Sequence, residues 1–284
     1  MTQHKHNDHS NHPHSFRTLR ETARLSHMIL TRLRNSTGAP RLGVFSAAGI
    51  ACLAAPGFAF QTTIGPTPET PAQAIVRRID AAVYARESDV AGYSVQEHYA
   101  IYRNGEANPS AEQTIRTVFR VGAGKDFTAI SQSGSGLLRS AVIDKVLAGE
   151  KEMSQADTRD GVLVDSANYE ITPEPVQAQM NGRQCVIVDL KPRRKSSHLF
   201  NGKAWVDAED FMVVHLEGSP SQSVSFLAGE TTVSRDYSRV EGFPMAFHAE
   251  AHSHSFLLGD TVLKIDYSGY QIQHAAPAVA ATKH

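Results

Sequence analysis

His248, Glu250, His252 and His254 stand at alternate positions of one segment and form a compact set of side chains able to ligate a metal. Two imidazoles at i and i+2 on a strand can chelate zinc if a neighbouring strand supplies further ligands. Water on such an ion would serve a metal-dependent hydrolase, with His252 and His254 as the candidate ligands. Four residues along a strand span about 20 Å, so no single ion can take them all. The competing reading is a solvated polar face, alternating with the small residues Ala249, Ala251, Ser253 and Ser255. That reading is adopted, and no metal, cofactor or catalytic residue is expected.

Other reactive residue types fall to similar arguments. Asp207, Glu209 and Asp210 suggest calcium or paired-acid chemistry, but acids also favour hairpin turns. Arg193, Arg194 and Lys195 can meet a phosphate or an acidic partner, or simply be solvated in a turn. Ser133-Gly-Ser-Gly136 lacks the spacing of a nucleophile elbow and the lysine of a phosphate loop. It reads as a loop capping a helix. Cys185 sits in the apolar run CVIV, which marks a buried structural thiol.

The elements that must position these residues are mostly strands. From Gln184 to Gln271, apolar or alternating runs are separated by Asn201-Gly202, Glu209-Asp210, Glu241-Gly242 and Gly259-Asp260, with Asn181-Gly182 just ahead. Such a pattern predicts an antiparallel meander. Upstream, Ala72, Ile75, Val76, Ile79, Ala82 and Val83 recur at helical spacing behind Pro71. Strand parity follows over 93–101 and 115–121, with a third strand near 127–131. A second helix is predicted over about 137–153, and a polar excursion over 154–168. Helix, strands, helix, strands is an α+β order, with one antiparallel sheet and helices over one face.

The net charge of −1 hides an asymmetry. Residues 1–59 hold seven Lys/Arg and two acids, leaving 21 basic and 27 acidic residues, a net −6, in the body. An acidic body argues against nucleic acid as a partner. Within the leader, Arg32, Arg34 and Arg41 precede the apolar run 42–55, too short to span a bilayer comfortably. Gly57 and Ala59 supply the small residues of a cleavage site before Phe60. The expectation is a signal peptide, with Met28 as an alternative start. Lipid anchoring at Cys52 and an uncut membrane anchor are the alternatives. Five histidines in 1–14 belong to a compositionally biased start, expected to be disordered. The organisation predicted is a leader over 1–59, a linker over 60–70, one domain over 71–274 and a disordered tail over 275–284.

Several segments resemble a known family. Met180-Asn-Gly-Arg-Gln-Cys-Val-Ile-Val-Asp-Leu-Lys-Pro192, the hairpin Gly202-Lys-Ala-Trp-Val-Asp-Ala-Glu-Asp210, Phe243-Pro244 and the closing Asp266-Tyr-Ser-Gly-Tyr270 are similar to elements of the outer-membrane lipoprotein-sorting proteins, the LolA/LolB-like superfamily, in its broader branch. The resemblance implies a strongly curved antiparallel sheet, an unclosed β-barrel, with helices covering its concave face. It also implies a periplasmic or envelope carrier of acylated lipoproteins, or a relative that binds lipid or acts as a sensor. The chain departs from compact carriers in the excursion 154–168, the basic turn 193–195 and the histidine strand.

Parity offers wall residues for a cavity. Val95, Tyr99, Ile101, Phe119, Val214, Leu216, Phe247, Ile265 and Tyr267 can line the concave side, with Leu138, Val142 and Val146 on the covering helix. The residues alone fit a filled core equally well, and the resemblance favours a cavity. The reading is a non-enzymatic lipid- or lipoprotein-binding carrier of the cell envelope. Its partners would be an acyl lipid or lipidated protein, with transient membrane contact and room for an envelope protein partner. A sensor or interaction domain with a filled core is the second reading, and the metal-dependent hydrolase the third.

Overall fold

In a computed structural model of the chain, the residues described are 69–222, 229–255 and 259–276. The expected leader, its cleavage and lipidation sites, nearly all of the linker and most of the tail lie outside the described residues.

Helix α1 runs Pro71–Asp89. Thr70 starts it with a capping box: its hydroxyl accepts from the Gln73 amide at 3.2 Å, and the Gln73 side chain accepts from the Thr70 amide at 2.9 Å. Pro71 follows at the first helical position, where its missing N–H costs nothing. The chain then passes directly into β1 (Val90–Arg103), β2 (Ala111–Arg120) and β3 (Gly124–Gly134). A second helical stretch follows in three pieces: α2 (Gly136–Leu138), a π-helical turn (Arg139–Ile143) and α3 (Asp144–Met153). Ser135 caps it, accepting from the Leu138 amide at 3.3 Å. A 3₁₀ turn, Arg159–Val162, leads to seven more strands: β4 (Tyr169–Met180), β5 (Arg183–Pro192), β6 (Phe200–Asp207), β7 (Val213–Pro220), β8 (Thr231–Val240), β9 (Phe243–Ser255) and β10 (Gly259–His274).

The ten strands form one antiparallel sheet in the order β3-β2-β1-β10-β9-β8-β7-β6-β5-β4, which is not closed into a barrel. The expected α+β class and open curved sheet are therefore present. The topology explains why the helices share a face. The α2–α3 stretch carries the chain from the β3 edge to the β4 edge, and the meander then returns until β10 pairs with β1. No described helix is long and apolar enough to cross a membrane.

Two apolar clusters fill the space between helices and sheet. In one, Ile79 of α1 meets Tyr169, Val188, Val206 and Leu216. In the other, Leu138, Val142 and Ile143 meet Tyr99, Ile101, Ile115, Leu263 and Ile265. A single cross-strand row, Tyr99–Ile265–Ala249–Arg235–Leu216–Ala204–Val188, runs through both. Arg235 interrupts it where one cluster gives way to the other.

Asn201-Gly202 is a strand pair, not the turn its dipeptide predicts. Gly202 lies within β6 opposite Gly218 of β7. A Cβ on Gly202 would stand 1.9 Å from the Glu217 carbonyl oxygen, so the two glycines permit a close backbone approach. Asn181-Gly182 and Glu241-Gly242 are turns, with both residues of each at positive φ as the tight hairpin requires.

Candidate functional site

Between the two clusters, α1, the 162–164 connection and the sheet border a half-open cavity of about 230 Å³. Val83 of α1, Val164, Val213, Leu216 and Met245 supply its apolar lining. Charged side chains interleave with them: Arg235 pairs with Leu216, and Arg86 approaches the Met245 sulfur at 3.9 Å. Lys125, Arg235, Glu97, Arg86 and Glu87 border the space together with Tyr93, Tyr267 and Tyr270.

These charges are held by one another. Lys125 Nζ donates to Glu150 Oε2 at 2.5 Å, and Arg235 donates to Glu150 Oε1 at 3.1 Å. Burial opposes ionisation of Glu150, but the two adjacent cations override it and hold its pKa at about 2. Burial likewise opposes the charge on Lys125, and Glu150 more than compensates, so its pKa is raised. Glu97, only 3% exposed, accepts from the Tyr99 hydroxyl at 2.6 Å. Burial raises the Tyr99 and Tyr267 phenols well above their ordinary range. Nearby, Glu87 is clamped between Arg86 at 2.6 Å and Arg159 at 2.5 Å, and the Arg159 guanidinium lies over the Phe119 ring.

The sequence-predicted wall residues divide. Leu216 and Tyr267 line the cavity. Tyr99, Ile101, Leu138, Val142 and Ile265 lie in the second apolar cluster, with Val146 packed against it. Val95 and Phe119 are buried, and Phe119 stacks against Tyr93. Val214 is the buried extra residue where β7 slips against β6, so Val213 takes the cavity-facing place. Phe247 is the extra residue where β9 slips against β8, and it is 38% exposed. Bulges shift parity by one, and uniform alternation cannot register that.

The charged wall was missed, although a signal existed. Glu97 shares parity with Tyr99 and Ile101, and Arg235 pairs with Ala249 and Leu216. A charge at an inward strand position must be paired or must face a cavity.

The opposite face carries the histidines. Trp205, His215, Asp236, His248, Asp266, His98 and Thr114 stand in one cross-strand row. His215 and His248 each approach an aspartate at 2.7 Å, on Asp236 and Asp266 respectively. Glu250 sits between His248 and His252, at 3.2 and 3.0 Å, and also accepts from Lys264 at 2.8 Å. His254 pairs with Asp260 at 2.6 Å. Among the described residues, no group of three or more His, Cys, Asp or Glu is arranged to hold a metal ion.

The remaining reactive residues are structural. Asp207 accepts from the Glu209 amide at 2.8 Å and from Arg183, which fixes the β6–β7 turn. Arg193 donates to the Ser166 carbonyl at 2.8 Å, and Arg194 to Asn168 at 2.9 Å and to the Gly161 carbonyl. The basic turn thus pins the excursion 154–168 instead of standing free in solvent. Cys185 is buried and unpaired, and burial raises its pKa.

No family model matches the chain, and no curated protein matches it. Solved structures of similar chain course exist. A LolA superfamily protein from Nitrosomonas europaea is 10% identical, with a TM-score of 0.42, over 74% of this chain and 96% of that one. An outer membrane lipoprotein-sorting protein domain from Vibrio parahaemolyticus is 12% identical, with a TM-score of 0.42, over 70% and 93%. A DUF1329 family protein from Desulfovibrio piger is 13% identical, with a TM-score of 0.41, over 70% and 92%.

Proposed function

We propose that the domain is a non-enzymatic binding protein of the cell envelope that houses an amphipathic, acyl-type ligand between α1 and the sheet. The observation that carries this reading is the cavity set between two apolar clusters, with a lining that mixes apolar and charged side chains. Its volume of about 230 Å³ exceeds the engineered apolar cavity of about 150 Å³ that takes benzene. It falls short of the roughly 300–1,000 Å³ typical of drug-sized ligands. A short chain fits the resting cavity, whereas a full acyl chain requires α1 to move away from the sheet. Each methylene that leaves water for the apolar wall gains about 0.8 kcal/mol. Lipidated protein as cargo, and secretion through the leader, belong to this reading through the motif resemblance.

Displacement of a fluorescent fatty acyl probe, paired with native mass spectrometry of the purified protein, tests it. Saturable probe binding and a copurifying acyl lipid are expected. The absence of both probe binding and bound lipid would sink the reading.

A second reading is favoured by the sheet edge. After Phe127 the remainder of β3 is exposed, including Ile130, and this strand ends the sheet. An open edge can add a strand from a partner protein. Replacing Ile130 with lysine would abolish such pairing while leaving probe binding intact.

A further inference from the structure

The charges around the cavity do not cancel. Arg86, Lys125, Arg159 and Arg235 are four cations, and Glu87, Glu97 and Glu150 are three carboxylates. One positive charge remains. Arg235 is where it is most available to a ligand. It lies on the seam between the apolar clusters, 36% of its side-chain surface is accessible, and it borders the cavity. A single guanidinium nitrogen reaches Glu150, and a guanidinium carries five donors in a planar fork.

We propose that the cavity selects amphiphiles bearing one carboxylate, with the head on Arg235 beside Lys125 and the tail along Val83, Val213 and Leu216. The inference rests on the binding reading above and adds the chemistry of the head. Two considerations favour a carboxylate. The local excess is one charge, whereas a phosphate monoester carries close to two at neutral pH. The planar fork also matches a carboxylate in two parallel hydrogen bonds, which are stronger than neutral ones. A neutral head would leave the excess charge without a counter-ion while shielding it from water. A cationic head would add to it.

Isothermal titration of the full-length protein with octanoate, octanol and octyltrimethylammonium separates the outcomes. Octanoate is expected to bind at least about tenfold more tightly than octanol, with the cationic amphiphile weakest. In Arg235→Gln the advantage of octanoate over octanol should shrink to about twofold or less. In Glu150→Gln, which frees a second cation, the advantage should grow. Equal binding of octanoate and octanol by the wild-type protein would overturn the head assignment and leave the cavity reading standing. Binding of none of the three would remove both. The wild-type comparison decides the matter even if a variant fails to fold.

Discussion

Nδ1 of His248 on β9 lies 2.7 Å from Oδ1 of Asp266 on the neighbouring β10. Asp236 of β8 faces the same histidine across the other flank, and Glu250 approaches its second ring nitrogen at 3.2 Å. Burial acts against the charged ring, and the bonds to Asp266 and Glu250 override it, so the pKa of His248 is raised above 6.5. A raised folded value means that its stabilisation is complete below the unfolded pKa and is lost as pH rises through the folded value. The ring-proton NMR titration of His248 should therefore have its midpoint above about 6.5. Asp266→Asn should bring that midpoint down. An unchanged midpoint in the variant would refute the assigned pairing.

Glu150 predicts the opposite dependence. Its pKa is held at about 2 by Lys125 and Arg235 after burial has pushed the other way. A depressed folded value contributes stability above the unfolded pKa, and that stability is lost as pH falls through the folded one. The melting temperature should drop as pH is lowered from about 5 towards 3. Glu150→Gln should flatten the drop and lower the melting temperature at neutral pH, because Lys125 and Arg235 then lose their counter-ion. An equally steep acid limb in the variant would show that other carboxylates dominate.

Most of the strands could be read from turn chemistry and alternation, because each hairpin is a local event, but the pairing of β10 with β1 that sets their order is not local. TTVSRDYSRV is β8 residue for residue, and Thr70 with Pro71 marks the start of α1. The site could not be read this way, for three reasons. The slips beside Val214 and Phe247 change which residues face inward without altering composition. The cavity also gathers residues from α1, β1, β3, the 162–164 connection and β7 to β10, which are distant in sequence and meet only through the sheet order. The third reason is chemical. Arg235 resembles an outward residue by type, and only the register shows it facing in, whereas the parity of Glu97 with Tyr99 was already in the sequence.

The two glycines Gly202 and Gly182 give a contrast that separates steric exclusion from backbone strain. A Cβ on Gly202 would press against the Glu217 carbonyl at 1.9 Å and the Gly218 Cα at 2.6 Å. Backbone atoms of a paired strand cannot give way, so Gly202→Ala should cost about 2–3 kcal/mol by parting β6 from β7. Gly182 has φ +77° with nothing within 4 Å of its added Cβ. Gly182→Ala should cost only about 1–2 kcal/mol, the strain of an alanine in the left-handed region. Chemical denaturation of both variants measures the difference, and equal costs would mean that the β6–β7 approach is looser than its register implies.

Leu138 and Val83 distinguish a filled core from a cavity wall within one domain. Leu138 is 5% exposed and lies in one apolar cluster with Tyr99, Ile115 and Ile265. Leu138→Ala should therefore cost about 2–5 kcal/mol, because the deleted methyls leave a void that neighbours only partly fill. Val142, 1% exposed in the same cluster, should tolerate Val142→Trp no better, since added volume there must displace packed side chains. Val83 faces the 230 Å³ cavity from α1. Its substitution by tryptophan has space to enter, so Val83→Trp should change the melting temperature little while abolishing binding of the fluorescent acyl probe. The paired readout matters because each variant can fail in only one way under this scheme. If Val83→Trp unfolds the domain as Val142→Trp does, the space beside α1 is not available to a ligand. If it folds and still binds probe with wild-type affinity, the ligand lies elsewhere, and the open edge at β3 becomes the place to seek a partner.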